Sequence, residues 1–415
     1  MSRGLAVLVT AALILPAPAT ARAQAETIGE IRVHGNHATP DADVLAISGL
    51  ETGAAVSDER LRAAEQALQA SDRFDGAQVL KRFRSLDNPA DILVMILVEE
   101  RPAVTPEDLT PGPFRRLRAG QQWLPILNYA DGYGFTYGVR TSFRSVAGSR
   151  SRLSVPLSWG GERRAAAELE RSFDTGPVSV VRGALAINRR VNPHYEQADL
   201  RTGLRLEAER RLTSWLRAGG NGRVEQVDFG GVVTQHSGLG AHLTLDTRID
   251  PSFPRNAVVA HAGWERVAFE TGQAHRVLLD ASGYLGVGGS SVLALRAQAA
   301  QAGAPLPPAE QPLLGGNTTL RGYRPGHRAG DSLAAVSAEL RVPINPPLSI
   351  GRFGVKGFVD AGTVWSSGTR LSDQRWDRGI GGGVYLGAAV FMLDVDVAWP
   401  EEGSARAHVA LGVSF

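Results

Sequence analysis

Most of the chain alternates apolar and polar residues with a period of two. Phe391, Leu393, Val395, Val397 and Trp399 interleave with Met392, Asp394, Asp396 and Ala398. Val336, Ala338, Leu340 and Val342 interleave with Ser337, Glu339 and Arg341, and Leu239, Ala241, Leu243 and Leu245 with Gly240, His242, Thr244 and Asp246. The last segment, Ala405 to Phe415, does the same. Such alternation predicts half-buried strands. Sixteen of them follow one another, beginning near Gln121, Gly134, Arg150, Arg164, Val178, Asp199, Trp215, Gly238, Val258, Arg276, Ser291, Ser332, Gly351, Gly379, Phe391 and Ala405. Pro125 interrupts the first, and the fourteenth is a Gly-rich run, Gly379 to Val384.

A soluble sandwich would also alternate. Here one face is almost purely apolar, the other carries Asp, Glu, Arg and His together, and the longer segments approach the roughly nine to eleven residues of a strand crossing a bilayer. An apolar outside and a wet inside, with an even strand count, predict a closed antiparallel membrane barrel. Closure follows because hydrocarbon offers no partner to an unpaired edge. Trp159, Trp215, Trp365 and Trp399 lie near segment ends, where an interfacial girdle is expected. The longest irregular stretch, Gln301 to Asp331, is rich in Gly and Pro yet holds Leu320-Arg321-Gly322-Tyr323. Long loops in compact domains tend to be functional.

The front of the chain has different periodicity. Ile28 to Val33 reads as a strand ending at the turn His34-Gly35-Asn36, and Pro40 to Ser48 as a short helix. Ser57 opens a second helix with Leu61, Ala64 and Leu68 on one face. Phe74 to Phe83 and Ile92 to Val98 are two more strands, giving the order β-α-α-β-β. His34 and His37 are read as solvated turn residues. Arg3, an apolar core from Leu5 to Leu15 and Ala21-Arg22-Ala23 form a secretory signal. The expected divisions are a signal peptide at 1–23, a small domain at 26–100, a linker at 101–119 and a barrel at 120–415.

Composition narrows the chemistry. There is no cysteine, the histidines lack metal-ligand spacing, and the net charge is +2. We therefore expect no metal, no cofactor and no nucleic-acid partner. Gly330-Asp331-Ser332-Leu333 spells a short lipase motif, but it sits at a loop-to-strand boundary and no Gly-x-Ser-x-Gly occurs, so no enzyme is expected.

The front domain resembles a polypeptide-transport-associated (POTRA) domain, through Ile31-Arg32-Val33-His34-Gly35-Asn36, Ser71-Asp72-Arg73-Phe74-Asp75 and Val98-Glu99-Glu100-Arg101-Pro102. With the strands and the tetrad behind it, the mature chain resembles the BamA/TamA superfamily of outer-membrane assembly factors and their two-partner-secretion relatives. The resemblance implies a mainly β fold, a 16-stranded transmembrane antiparallel β-barrel preceded by one small periplasmic POTRA-like domain. It implies that Leu320, Arg321, Gly322 and Tyr323 tip a loop folded back into the barrel. Phe358-Val359-Asp360-Ala361-Gly362 and Gly381 to Gly383 match the family's Phe-x-Asp-x-Gly strand and its Gly-rich neighbour, and Asp246-Thr247-Arg248 with Pro251 and Pro254 matches a third segment. Parity agrees, since Asp360 shares the face of Phe358, and Glu339 lies opposite Leu340 and Val342. The expected lumenal partners are Asp360, Glu339, Phe358, Gly362, Gly381 and Gly382, with Arg321 paired to Asp360 or Glu339.

The implied function is insertion or translocation of polypeptides at the outer membrane of a Gram-negative-type bacterium, with the front domain in the periplasm. A weak seam between the first and last strands would carry it, marked by Pro125, which lacks a ladder donor, and by Phe415. Expected partners are outer-membrane lipids, client polypeptides, and periplasmic or lipoprotein partners at the front domain. The alternative is a passive or gated diffusion pore.

Overall fold

A computed structural model describes residues 26–413, apart from 72, 85–87, 89, 110, 111, 113, 114, 116, 117, 149, 345–350, 389 and 390. The expected signal peptide and Phe415 lie outside the described residues. The chain divides into two compact units, Met1–Thr110 and Pro111–Phe415.

The first unit contains β1 (Thr27–His34), α1 (Asp41–Ser48), α2 (Asp58–Ala70), β2 (Phe74–Phe83) and β3 (Asp91–Glu100). Its sheet order is β1-β3-β2, with β1 parallel and β2 antiparallel to β3. Ile92, Val94, Ile96 and Val98 alternate inward from the central strand and pack with Leu61, Ala64, Leu68 and Phe74. Ser57 caps α2, its hydroxyl accepting from the Arg60 N–H at 3.2 Å.

The turn after β1 explains the sequence there. Gly35 has φ +90°, and a Cβ would lie 2.0 Å from the Val98 carbonyl oxygen, so only glycine fits. The Glu100 carboxylate accepts the backbone N–H groups of His37, Ala38 and Thr39 at 2.6–3.1 Å. Partial burial pushes its pKa upward, but these N–H donors outweigh it and hold the carboxyl below its usual range. His34 and His37 are exposed.

The second unit is a closed barrel of sixteen strands. In chain order they are β4 (Gln121–Ala130), β5 (Gly134–Arg144), β6 (Ser151–Gly160), β7 (Arg163–Ser172), β8 (Val180–Val191), β9 (Ala198–Arg211), β10 (Leu216–Phe229) and β11 (Val232–Asp246). Then come β12 (Ala257–Phe269), β13 (Gly272–Gly286) and β14 (Val292–Ala302). A short hairpin, β15 (Leu313–Leu314) and β16 (Arg328–Ala329), lies within the long loop. The barrel resumes with β17 (Ser332–Ile344), β18 (Arg352–Trp365), β19 (Asp377–Ala388), β20 (Phe391–Pro400) and β21 (Arg406–Val413). Neighbouring barrel strands all pair antiparallel, and β21 returns to β4. We call the end bearing the long loop the loop rim, and the end where β4 begins the base rim.

Parity decides what each face meets. Leu239, Ile380 and Val359 are 66%, 60% and 51% exposed on the outside, while Asp360, Glu339 and Asp396 are buried inside. An apolar exterior this extensive suits hydrocarbon rather than water. No described helix is long and apolar enough to cross a membrane.

Two expectations need correction. The strand expected from Gly238 begins at Val232, because backbone pairing with β10 runs through the adjacent valines Val232 and Val233 that break the alternation. Trp365 is not in a girdle. It is 8% exposed and paired with Ser332, with its backbone lying against Gly330 of the long loop, whereas Trp159, Trp215 and Trp399 are exposed.

Candidate functional site

The long loop turns back into the lumen and is held there at two places. At the first, Gly316 N–H donates to the Tyr323 carbonyl at 3.1 Å and Leu320 N–H to Gly316 at 3.2 Å, which closes a tight turn with the tetrad at its tip. Leu320 is fully buried with Leu314, Leu333, Ala335 and Val364. This apolar knot fixes where the next residue points.

That residue is Arg321, 7% exposed. Its Nε and one terminal nitrogen donate to the two oxygens of Asp360, each at 2.8 Å, a bidentate fork. The other terminal nitrogen reaches Glu339 at 2.6 Å and Asp396 at 3.2 Å. Its backbone N–H donates to Asp360 at 3.1 Å, and the guanidinium lies 3.3 Å from the centre of the Phe358 ring. Three carboxylates around one guanidinium would leave excess negative charge. Lys356 offsets it, 3.0 Å from Asp396 and 2.6 Å from Asp394, and Arg341 adds a bond to Glu339 at 2.7 Å.

Glycines make the room. Gly379 faces the lumen, where a Cβ would lie 2.1 Å from the Arg321 carbonyl oxygen. Gly381 does the same for the Phe358 ring, at 2.6 Å, and Gly362 for Leu314, also at 2.6 Å. Gly322 has φ +95° and packs on the backbone of Trp399 and Pro400, while its N–H donates to His408 Nε2 at 2.9 Å. His408 in turn bonds Asp131 through Nδ1. The Tyr323 hydroxyl donates to the Arg378 carbonyl at 3.1 Å.

The second holding point has the opposite sign. Glu310, at the end of a single 3-10 turn (Pro308–Glu310), is 7% exposed. Its carboxylate accepts from Arg223 at 2.9 Å, Arg201 at 3.1 Å and Arg276 at 3.2 Å, and lies 3.1 Å from His236 Nδ1. These groups stand on β10, β9, β13 and β11. Arg223 and Arg276 are also bound to Glu265, at 2.9 and 2.5 Å. The loop therefore spans the lumen from an acidic wall of β17, β18 and β20 to a basic wall of β9 to β13.

A family model described as the Omp85 superfamily domain matches residues 131–415. The chain belongs to the Omp85 superfamily. A POTRA model, described as a surface antigen variable number repeat, matches residues 26–101. The fold is similar to that of BamA from Haemophilus ducreyi lacking POTRA domains 1–3, at 15% identity and TM-score 0.63, covering 94% of this chain and 84% of that one. It is also similar to CdiB from Acinetobacter baumannii, at 12% identity and TM-score 0.54, covering 94% and 74%, and to CdiB from Escherichia coli, at 14% and 0.52, covering 97% and 93%. No curated protein matches.

In this Omp85 barrel the residues singled out in the sequence do not all meet. Leu320, Arg321, Gly322, Tyr323, Asp360, Glu339, Phe358, Gly362 and Gly381 gather at the first holding point. Gly382 does not. It pairs with Gly357 on the outward face of β19, where a Cβ would meet the Lys356 carbonyl at 3.1 Å, because neighbours along a strand point to opposite sides. Pro125 sits in β4 opposite Val139 of β5. The seam itself shows one backbone pair among the described residues, Tyr129 with Leu411.

The Asp246-Thr247-Arg248 segment closes a local fork, Arg248 donating to both Asp246 oxygens at 2.9 Å. The turn that follows crosses the base rim. Asp250 pairs with Arg352 at 3.2 Å, whose guanidinium stacks 4.4 Å from the Phe253 ring centre, and Phe253 fills the space left by Gly387. Between this turn and the tetrad lies a cavity of about 640 Å³ lined by charged groups, among them Arg248, Asp280, Arg296 and Asp394. Glu207, Glu209 and His242 also approach one another on the lumen wall. Arg182 donates to Glu209 at 2.6 Å, which makes this an ion-pair network.

Proposed function

We propose that this chain is an outer-membrane insertase or translocase of the BamA/TamA type, taking client polypeptides through its POTRA domain and the seam between β4 and β21. In this reading the POTRA domain lies in the periplasm, and the loop rim faces outward.

The observation that carries the reading is the seam. One described pair joins β21 to β4, while every other junction of the barrel shows six or more. β4 is also unlike its neighbours, since Trp123-Leu124-Pro125-Ile126-Leu127 is apolar on both faces and Pro125 offers no N–H. Opening this junction exposes unpaired backbone groups in hydrocarbon, where each costs several kcal/mol on the order-of-magnitude scale for membranes. A client strand satisfies them by β-augmentation. The edges β1 and β2 of the front sheet offer the same kind of pairing before the membrane is reached. No bond is made or broken in this scheme, so the chain acts without enzymatic chemistry. Periplasmic or lipoprotein partners would dock on the front domain.

The test uses the absence of native cysteine. Tyr129→Cys with Leu411→Cys places a disulfide across the only described pair of the seam. With the full chain in proteoliposomes and a urea-denatured eight-stranded barrel as the client probe, oxidation should abolish client assembly and reduction restore it. Full activity with the disulfide formed contradicts the proposal.

A further inference from the structure

We propose that Arg163 and Arg189 form a binding site on the barrel's outer surface for the phosphate of an anionic lipid in the leaflet that meets the loop rim. The two residues are directly paired across β7 and β8 and both are exposed. They share the outward face of Ala165 and Ile187, the next outward pair toward the middle of the barrel wall. Like charges directly opposite on a sheet destabilise it. Neither arginine has a hydrogen-bond, ion-pair or ring partner among the described residues.

Three other outward arginines are engaged. Arg171 lies over the Phe173 ring, Arg210 donates to the Gly176 carbonyl and Arg266 to Gln273. The pair at Arg163 and Arg189 is thus a concentrated positive charge without a protein answer. An anion set between two guanidinium forks removes the repulsion and receives several charge-assisted bonds.

Height on the wall points to the source of that anion. Arg163 opens β7 and Arg189 lies two residues before the end of β8, so both are at the loop rim. On the neighbouring strands Trp159 and Tyr137 are paired and 50% and 51% exposed, the side chains expected at the level of lipid headgroups. Below the arginines the exposed surface is apolar, with Ile187 46% and Leu185 60% exposed. A phosphate held at this height therefore has acyl chains lying along Ile187 and Leu185. A free inorganic anion gains nothing from that surface.

The site rests on the membrane reading above, but not on transport through the seam. The test measures binding of diphosphoryl lipid A, as the probe, to the full chain in detergent by native mass spectrometry, with phosphatidylethanolamine as comparator. Arg163→Gln with Arg189→Gln should weaken diphosphoryl lipid A about tenfold or more, the scale of lost charge-assisted bonds, and leave phosphatidylethanolamine unchanged. Arg163→Lys with Arg189→Lys, which keeps charge without the fork, should fall between. Equal affinity of the parent and Gln chains, both showing the same heat-modifiable band, overturns the site. Full displacement by inorganic phosphate also overturns it, by marking a general anion site. Labelling of Thr271→Cys by an impermeant maleimide on intact cells separately reads which way the loop rim faces. Its failure would revise the orientation given under the proposed function and leave the lipid measurement standing.

Discussion

The two walls of the lumen hold one loop by opposite means. On β17, β18 and β20 carboxylates surround an arginine of the loop, and on β9 to β13 arginines and a histidine surround a glutamate. The difference lies in what remains when the loop's charge is withdrawn. Among the described residues Asp360 has no other cation in ion-pair contact, only the Ser337 hydroxyl at 2.7 Å. Arg223, Arg201 and Arg276 each keep a second carboxylate, Glu225 and Glu265, Asp199, and Glu265 respectively. At the acidic wall Asp360 depends on the loop, while Glu339 and Asp396 keep Arg341 and Lys356; the basic wall is largely satisfied without it. Release should therefore begin at Glu310, with Arg321 the stronger anchor.

Arg321→Ala gives the largest effect expected of this comparison. It leaves the buried Asp360 without its cation, while Glu339 and Asp396 keep Arg341 and Lys356; removing one partner of a buried pair costs about 3–5 kcal/mol. Limited proteolysis should cut the loop, and the folded band should unfold at a lower temperature in gels. If the loop stays as resistant as in the parent chain, the anchor is not at Arg321.

Gly379→Ala comes next, since its Cβ would collide with the Arg321 carbonyl. Overpacking of this kind costs about 1–3 kcal/mol, and the same proteolysis assay should show partial release. Glu310→Ala should cost a similar or smaller amount, about 1–3 kcal/mol, because one buried acceptor is lost while its donors keep other partners. An effect of Glu310→Ala as large as that of Arg321→Ala would erase the asymmetry between the walls. Gly382→Ala should be the mildest, within about 0.5 kcal/mol, as an outward substitution away from the loop. Melting of that variant below Gly379→Ala would mean the face of β19 has been misassigned.

Much of this was legible in the residues. Alternation in β17 put Glu339 on the lumen face, parity opposite Val355, Val359 and Ala361 put Asp360 there, and the tetrad offered the cation to meet them; Asp396 alternated onto the same face in β20 but was not expected as a third partner. Parity also separates Gly381 from Gly382, a distinction that a Gly-rich run conceals because glycine has no side chain to mark the face. Glu310 was not legible. It stands in Pro307-Pro308-Ala309-Glu310, where no period applies, and its arginines come from strands far apart in the chain. The one available signal was the cluster of lumen-facing cations at Arg201, Arg223 and Arg276, donors enough to receive one further acid beside their own carboxylates. Trp365 misled for a similar reason, because a strand end at a rim can be covered by a loop that alternation does not describe.

The loop held at both walls and the turn carrying Phe253 at the base rim both stand in the path through the barrel, with a cavity of about 640 Å³ between the tetrad and that turn. Planar-bilayer conductance of the full chain tests this most directly. The parent should show little steady current, and Arg321→Ala combined with Glu310→Ala should open large, frequent steps. A high, steady conductance in the parent chain, unchanged in the double variant, would contradict the account and make the barrel a diffusion pore.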